Sequence, residues 1–107
     1  MILEHALLNV IAGQALQFEQ DFRRAESIIS KSPGYLGHTL LRGIEKPSQY
    51  LLLVKWRSLE DHTRGFRESP NYQDWKELLH HYYEPFPTVE HFDLADEVGA
   101  ARPGLSI

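Results

Sequence analysis

The first eleven residues alternate in the pattern of a β-strand, and both faces of that strand are largely apolar. One face carries Ile2, Glu4, Ala6, Leu8 and Val10, and the other carries Leu3, His5, Leu7, Asn9 and Ile11. A sheet that has one face in water normally shows a clearly polar outer face. The pattern therefore predicts a strand over residues 2–11, in a sheet that is covered on both sides.

The remaining pattern predicts two helical regions and three further strands, in the order β-α-β-β-α-β. The predicted elements are a helix over 14–31, strands over 35–42 and 50–56, short helices that open at Ser58 and at Ser69, and a strand over 89–94. Pro33 and Gly34 end the first helix. This order is the α+β, ferredoxin-like split βαβ arrangement with an antiparallel sheet.

The helices of this arrangement cover only one face of the sheet, although both faces are predicted to be apolar. A second copy of the sheet is the simplest cover, because closed two-fold pairing is the commonest form of oligomer. We expect one domain over residues 1–95 that forms a homodimer through its sheet face. Residues 96–107 hold small and charged residues, Pro103 and two glycines, and are predicted to be a flexible tail or a dimer arm.

The composition excludes several classes of function. A chain of 107 residues, 42% hydrophobic and 24% charged, is typical of one globular domain. The net charge is −4 and the basic residues are scattered, so no nucleic-acid partner is expected. The absence of cysteine excludes disulfides and thiolate metal sites. The apolar runs are too short to cross a bilayer and no signal-peptide pattern follows Met1, so we expect no membrane association and a cytoplasmic location.

Three runs of the sequence resemble a known family. They are residues 50–62, which contain Trp56 at the end of the third predicted strand, residues 65–75 and residues 80–92. Together with the turn at 33–35, they resemble the antibiotic biosynthesis monooxygenase domain of the dimeric α+β barrel superfamily. The resemblance covers about residues 1–95.

This resemblance implies a fold, an assembly and an activity. The implied protomer is ferredoxin-like, and its sheet packs on that of a second copy. Some family members oxidise polycyclic aromatic compounds without flavin or metal, whereas others in the superfamily degrade haem, isomerise lactones or have no assigned reaction. The implied function is a cofactor-independent monooxygenase that acts on a small phenol-like or quinol-like molecule. A haem-binding or haem-degrading dimer, and a non-enzymatic dimer that binds a small molecule, stay open as alternatives.

Trp56, His62 and Tyr72 are the candidate catalytic residues. Trp56 stands where the family has a tryptophan, and its indole offers an apolar wall and one N–H donor. His62 can take or give a proton near neutral pH, and Tyr72 can hydrogen-bond a phenol or quinone oxygen. The alternative for each is structural: Trp56 caps the core, His62 is solvated, and Tyr72 belongs to a buried aromatic stripe.

Asn9, Trp75 and His91 are the candidate substrate-binding residues. Trp75 follows Tyr72 by about one helical turn on the same face, where both can border a pocket for a flat ligand. Asn9 either donates to a bound oxygen or bonds nearby backbone at the strand end. His91 either faces His5 across the first and last strands, as half of a metal site, or lies at the dimer seam. No third ligand is fixed nearby by spacing, so no metal site is predicted.

Two departures from the family's patterns bear on the chemistry. Monooxygenases of this family use an asparagine on the strand before the tryptophan, where this chain has the aliphatic residues 51–54. Haem-degrading relatives use an asparagine and a strand-end tryptophan, which Asn9 and Trp56 match in type, and a helical histidine that would fall near Trp75 or Lys76. The nearest histidine in this chain, His80, comes about one turn later.

Overall fold

A computed structural model describes residues 1–97, which form a four-stranded antiparallel sheet packed against helices. The elements are β1 (Ile2–Asn9), α1 (Ala15–Ile29), β2 (Tyr35–Arg42), β3 (Gln49–Trp56), a π-helical segment (Asp61–Phe66), α2 (Pro70–Leu79), a 3₁₀ turn (His80–Tyr82) and β4 (Val89–Asp93). The strand order is β2-β3-β1-β4. The predicted ferredoxin-like α+β arrangement is confirmed, including the division of the second helical region into two pieces.

Serine side chains start both pieces of that second helical region. The Ser58 hydroxyl accepts the Asp61 backbone N–H at 3.2 Å and donates to the Asp61 carboxylate at 3.0 Å. The Ser69 hydroxyl accepts the Tyr72 backbone N–H at 3.3 Å, and Pro70 occupies the first helical position. These contacts satisfy backbone donors that a helix start leaves free, so the local sequence sets where both pieces begin.

The observed elements are slightly shorter than the predicted ones. β1 ends at Asn9 rather than at residue 11, because Val10 forms only an isolated bridge, to Tyr83. α1 covers 15–29 rather than 14–31. Of the predicted tail, residues 96 and 97 belong to no helix or strand, and residues 98–107 lie outside the described residues. Among residues 1–97, no helix is long and apolar enough to span a membrane.

Gly34 brings the start of β2 against the π-helical segment. Its φ of 85° lies in the left-handed region, and a Cβ at this position would overlap the Asp61 carboxylate. The Gly34 carbonyl accepts the Arg57 backbone N–H at 2.7 Å. The glycine therefore permits a close approach that holds the segment after β3 in place.

One face of the sheet forms the core with the helices. From β1, β3 and the residue after β1, the core takes the buried side chains of Ala6, Leu8, Val10, Tyr50, Leu52, Val54 and Trp56. From the helices it takes those of Phe18, Phe22, Ala25, Ile29, Trp75 and Leu79. Two hydrogen bonds also attach α1 to the rest of the core. The Tyr50 hydroxyl donates to the Glu19 carboxylate and the Tyr82 hydroxyl donates to the Asp21 carboxylate, each at 2.5 Å. This packing leaves the opposite face of the sheet without helices.

The opposite face is also apolar, as the alternation predicts. Leu7 on β1, Leu41 on β2 and Phe92 on β4 are 41%, 47% and 49% exposed. We call this surface the open sheet face. Large apolar side chains grouped on one surface are unusual in a monomeric protein.

The core contribution of α1 can be tested with two residues of the same helix. Phe18 has no exposed surface and its ring contacts four other aromatic rings, so Phe18→Ala should lower the free energy of unfolding by roughly 3–5 kcal/mol. Leu16 is 72% exposed, so Leu16→Ala should change the free energy of unfolding by about 0.5 kcal/mol or less. Urea unfolding followed by circular dichroism measures both. Equal losses would contradict this packing of α1.

Candidate functional site

A cavity of about 320 Å³ lies between the helix-facing side of the sheet and the segments that follow β3. Its lining residues are Glu4, Ala6, Leu8, Ile29, Leu52, His62, Phe66, Arg67, Tyr72, Trp75, His80, Tyr83, Phe86, Pro87 and Val89. Most of these are apolar or aromatic, with a few polar groups among them. This composition is typical of a small-molecule site, and the volume is at the lower end for one.

Glu4 is the acid in the wall of this cavity. Its position on β1 puts the side chain on the helix-facing side, where it is 9% exposed. The Trp56 indole N–H donates to Oε1 at 2.9 Å, and Nε2 of His62 lies 3.3 Å from the same oxygen. Burial raises the pKa of Glu4, while the Trp56 hydrogen bond and the charge of Arg67 partly oppose that rise.

His62 is held by contacts on both of its ring nitrogens. Nε2 faces Glu4, and Nδ1 lies 2.8 Å from Nε2 of His91. The His62 ring also stacks on Trp56, at 5.1 Å between ring centroids and an interplanar angle of 18°. Burial, with smaller effects of Arg67 and His91, lowers the pKa of His62 to about 3. His62 is therefore neutral near pH 7, with a single ring N–H.

The sheet register determines the partner of His91. It pairs Glu4 with His91 and His5 with Glu90 across β1 and β4. Because side chains alternate along a strand, His91 shares the helix-facing side with Glu4, and His5 points to the open sheet face. The alternative in which His5 and His91 face each other is wrong. Among the described residues, no group of three or more histidine, cysteine or acidic residues is placed to hold a metal ion.

Trp56 lies behind the cavity wall. It has no exposed surface, and its indole is covered by the rings of His62 and Phe66. Its N–H is used by Glu4. Of the three predicted catalytic residues, His62 and Tyr72 line the cavity, whereas Trp56 contacts it only through its neighbours.

Helix α2 supplies the aromatic wall. Tyr72 and Trp75 both line the cavity, and the Phe66 ring lies 5.4 and 5.8 Å from theirs. None of the residues 1–97 forms a hydrogen bond with the Tyr72 hydroxyl, so this hydroxyl is available to a ligand. His80 lines the same wall beside Tyr72, and burial lowers its pKa.

Asn9 does not reach the cavity. It pairs with Gln49 at the end of β1, on the side of the open sheet face. Its Oδ1 accepts the Gln49 side-chain N–H at 2.9 Å. This is the local, strand-end role that the sequence left as an alternative, with a side chain rather than the backbone as the partner.

The polar residues of the site that the sequence did not predict include Glu4 and Arg67. Glu4 had a signal: it is the one charged residue among the even-numbered positions from 2 to 10. A charge in an otherwise apolar row either faces solvent or has a specific partner. Arg67 had none, because it follows the π-helical segment in a stretch rich in charged residues.

Comparison with known proteins identifies the family. The family model for antibiotic biosynthesis monooxygenase matches residues 1–78. The chain belongs to this family. The resemblance that the sequence indicated is therefore confirmed for family and fold.

The chain is similar to an uncharacterised bacterial protein and to solved structures of other bacterial proteins. The uncharacterised protein YczJ of Bacillus subtilis strain 168 is 53% identical over 92 residues, which cover 86% of this chain and 97% of that protein. A solved structure from Bordetella bronchiseptica, assigned to the antibiotic biosynthesis monooxygenases, is 31% identical, covers 87% of this chain and 95% of its own, and has a TM-score of 0.83. The cofactor-independent oxygenase SnoaB of Streptomyces nogalater, at 22% identity, covers 94% of this chain and 96% of its own, with a TM-score of 0.69. This last likeness concerns the fold alone.

The burial of neutral His62 predicts a loss of stability in acid. The unfolded chain binds a proton at His62 below pH 6.5, whereas the folded chain binds it only near pH 3. The free energy of unfolding should therefore fall with decreasing pH in this window, by about 1.4 kcal/mol per pH unit from this one group. Glu4 acts in the opposite sense, because its raised pKa gives stability that is present at low pH and lost as pH rises.

Substitution of His62 isolates its contribution to the pH dependence of stability. His62→Phe keeps a ring to stack on Trp56 and should flatten the acid slope. His81→Phe is the matched control, because His81 is exposed and should leave the slope unchanged. Urea unfolding at a series of pH values measures both variants. A wild-type slope in His62→Phe would show that His62 is not held neutral by the fold.

Proposed function

We propose that this protein is a cofactor-independent monooxygenase that oxidises a small phenol-like or quinol-like molecule in the cavity. The observation that carries the proposal is the combination of aromatic walls with a buried carboxyl group, Glu4, in a space of about 320 Å³. This volume suits one or two fused aromatic rings. Membership of the antibiotic biosynthesis monooxygenase family supports the oxygenase chemistry.

Such a reaction draws its electrons from the substrate. Loss of the hydroxyl proton gives a phenolate, which passes one electron to O₂ and leaves a substrate radical and superoxide. These combine through a new C–O bond to a peroxide. Loss of the ring C–H proton with cleavage of the O–O bond then gives a quinone and, after protonation of the leaving oxygen, water. One phenol and one O₂ thus yield one quinone and one water, and the protein has to move protons, orient the ring and exclude water.

The cavity residues support each of these tasks. Arg67 lines the cavity and supplies a positive charge, which stabilises a phenolate or superoxide. The hydroxyl of Tyr72, which no residue among 1–97 engages, can donate to the oxygen of the substrate that becomes charged. Trp75 and Phe66 offer ring faces and edges against which a flat ligand packs.

Oxygen uptake with a panel of hydroxylated aromatic compounds, in metal-free buffer, tests this function. We expect uptake with at least one phenol or quinol. Tyr72→Phe should lower kcat/KM by roughly tenfold to a hundredfold, the loss of one hydrogen bond to a charged oxygen. Tyr35→Phe is the matched control, because the Tyr35 hydroxyl bonds His38 and does not line the cavity.

No uptake with any compound would contradict the monooxygenase function. Hemin titration would then identify the haem-binding alternative by a shifted Soret band. We expect no shift, because Asn9, one of the residues that this alternative needs, lies outside the cavity. Quenching of tryptophan fluorescence by phenols without oxygen uptake would identify the non-enzymatic alternative.

We also propose that the protein is a homodimer through the open sheet face. The exposed apolar side chains Leu7, Leu41 and Phe92 share that face and would be covered by the same face of a second copy. The cavity lies on the other side of the sheet, so this pairing leaves it accessible to a ligand.

A charge on the open sheet face tests the dimer. Leu7→Glu places a carboxylate among apolar side chains, and light scattering should then give the mass of a monomer. Leu16→Glu is the matched control, because Leu16 is 72% exposed on α1, away from the sheet. It should leave the dimer intact. A monomeric wild-type protein, or a dimer in both variants, would contradict the proposed interface.

A further inference from the structure

We propose that Glu4 is the proton acceptor of the cavity, and that Trp56 and His62 hold its carboxyl group for this role. The inference rests on the proposed monooxygenase function for its substrate class, a phenol or quinol. It goes beyond that function by assigning the base to a residue of β1 and positioning roles to two residues of neighbouring elements.

The two oxygens of Glu4 differ in their surroundings. Oε1 accepts the Trp56 indole N–H and also faces Nε2 of His62. No donor within residues 1–97 bonds Oε2, and this oxygen belongs to a side chain that lines the cavity. One oxygen is therefore fixed by the protein, and the other can accept a hydrogen bond from a bound hydroxyl.

His62 is suited to positioning and not to taking the substrate's proton. Nδ1 is hydrogen-bonded to Nε2 of His91, and Nε2 lies 3.3 Å from Oε1 of Glu4. When His91 donates from Nε2 to Nδ1 of His62, the single N–H of His62 is on Nε2, which lies 3.3 Å from Oε1 of Glu4. His91 thus sets the tautomer of His62, and His62 in turn orients the carboxyl group.

Polar and charged groups from several elements surround Glu4, and helix α2 and the 3₁₀ turn after it add Tyr72 and His80 to the same cavity lining. The groups around Glu4 are Trp56 from β3, His91 from β4, His62 from the π-helical segment, and Arg67 and Tyr83 from the segments that follow. Burial raises the pKa of Glu4, so its carboxylate is a stronger base than an exposed one. Arg67 opposes the rise and so favours the ionised form that a base requires.

The proposed step transfers one proton and no electrons. The O–H bond of the substrate hydroxyl breaks, its electron pair stays on the substrate oxygen, and a new O–H bond forms at Oε2 of Glu4. One negative charge thereby moves from Glu4 to the substrate oxygen, in a cavity that Arg67 lines. Because the proton moves between two groups inside the cavity, the total charge of the site does not change during this step.

The indole N–H of Trp56 provides a direct readout of Glu4. The chain has two tryptophans, so an amide-type ¹H–¹⁵N spectrum holds two indole signals, which Trp75→Phe assigns. The Trp56 signal should titrate with a midpoint above 4.5, the ordinary pKa of glutamate, because its acceptor is Glu4. Glu4→Gln, which keeps an oxygen acceptor, should abolish this titration. His62→Phe replaces the polar ring that lies 3.3 Å from Oε1 with an apolar one and should move the midpoint upward, whereas the control His38→Phe should leave it unchanged.

Two further measurements connect this titration to the substrate. Under anaerobic conditions, phenol should shift the Trp56 indole signal of the wild type and not that of Glu4→Gln. In the presence of oxygen, the acidic limb of kcat/KM should have the same midpoint as the titration and move upward with it in His62→Phe. Glu4→Gln should lower kcat by about a hundredfold or more, with KM changed by only a few fold.

The outcomes separate this inference from the proposed function. Glu4 is excluded as the proton acceptor if the Trp56 signal has no titration above 4.5, if phenol shifts it equally in Glu4→Gln, or if Glu4→Gln keeps the wild-type kcat. Absence of oxygen uptake by the wild type would contradict the monooxygenase function but not the role of Glu4. The titration and the anaerobic phenol shift would still decide whether Glu4 accepts a proton from a bound hydroxyl.

Discussion

The burial of one carboxyl group, that of Glu4, constrains the structure around the cavity. A carboxyl group in an apolar core is costly unless donors surround it. Glu4 accepts the Trp56 indole N–H from β3, and His62 on the π-helical segment lies 3.3 Å from the same oxygen. Since neither residue is close to Glu4 in sequence, this environment of the carboxyl group requires β1, β3 and the segment after β3 to be packed together.

The residues that contact Glu4 also contact the remaining two strands. His62 stacks on Trp56 and bonds His91, which brings β4 into the same group of contacts. Asp61, next to His62, leaves no room for a side chain at Gly34, so the start of β2 is also held. The cavity is bordered by the same elements that satisfy the buried acid. The packing that surrounds Glu4 therefore also determines the position of the cavity.

The two faces of the sheet have separate tasks in the proposed function. The helix-facing side holds the cavity and its titratable groups, Glu4, His62, His80 and Arg67 among them. The open sheet face carries the exposed apolar residues Leu7, Leu41 and Phe92, which the proposed dimer would cover. A second copy on the open face would stabilise the sheet without closing the cavity.

The sequence by itself determined the order and type of the elements, because these follow from local rules: alternation, helical spacing, and the capping serines Ser58 and Ser69. The placement of Tyr72 and Trp75 in one wall also followed, since both lie on one face of one helix. Which face of β1 meets the helices did not follow, because both faces are apolar and the choice depends on distant partners. Tertiary structure decided it, turning Glu4 toward Trp56 and His62 and turning Asn9 and His5 away. The pairing of β1 with β4, across more than eighty residues of chain, then selected His91 and not His5 as the partner of His62.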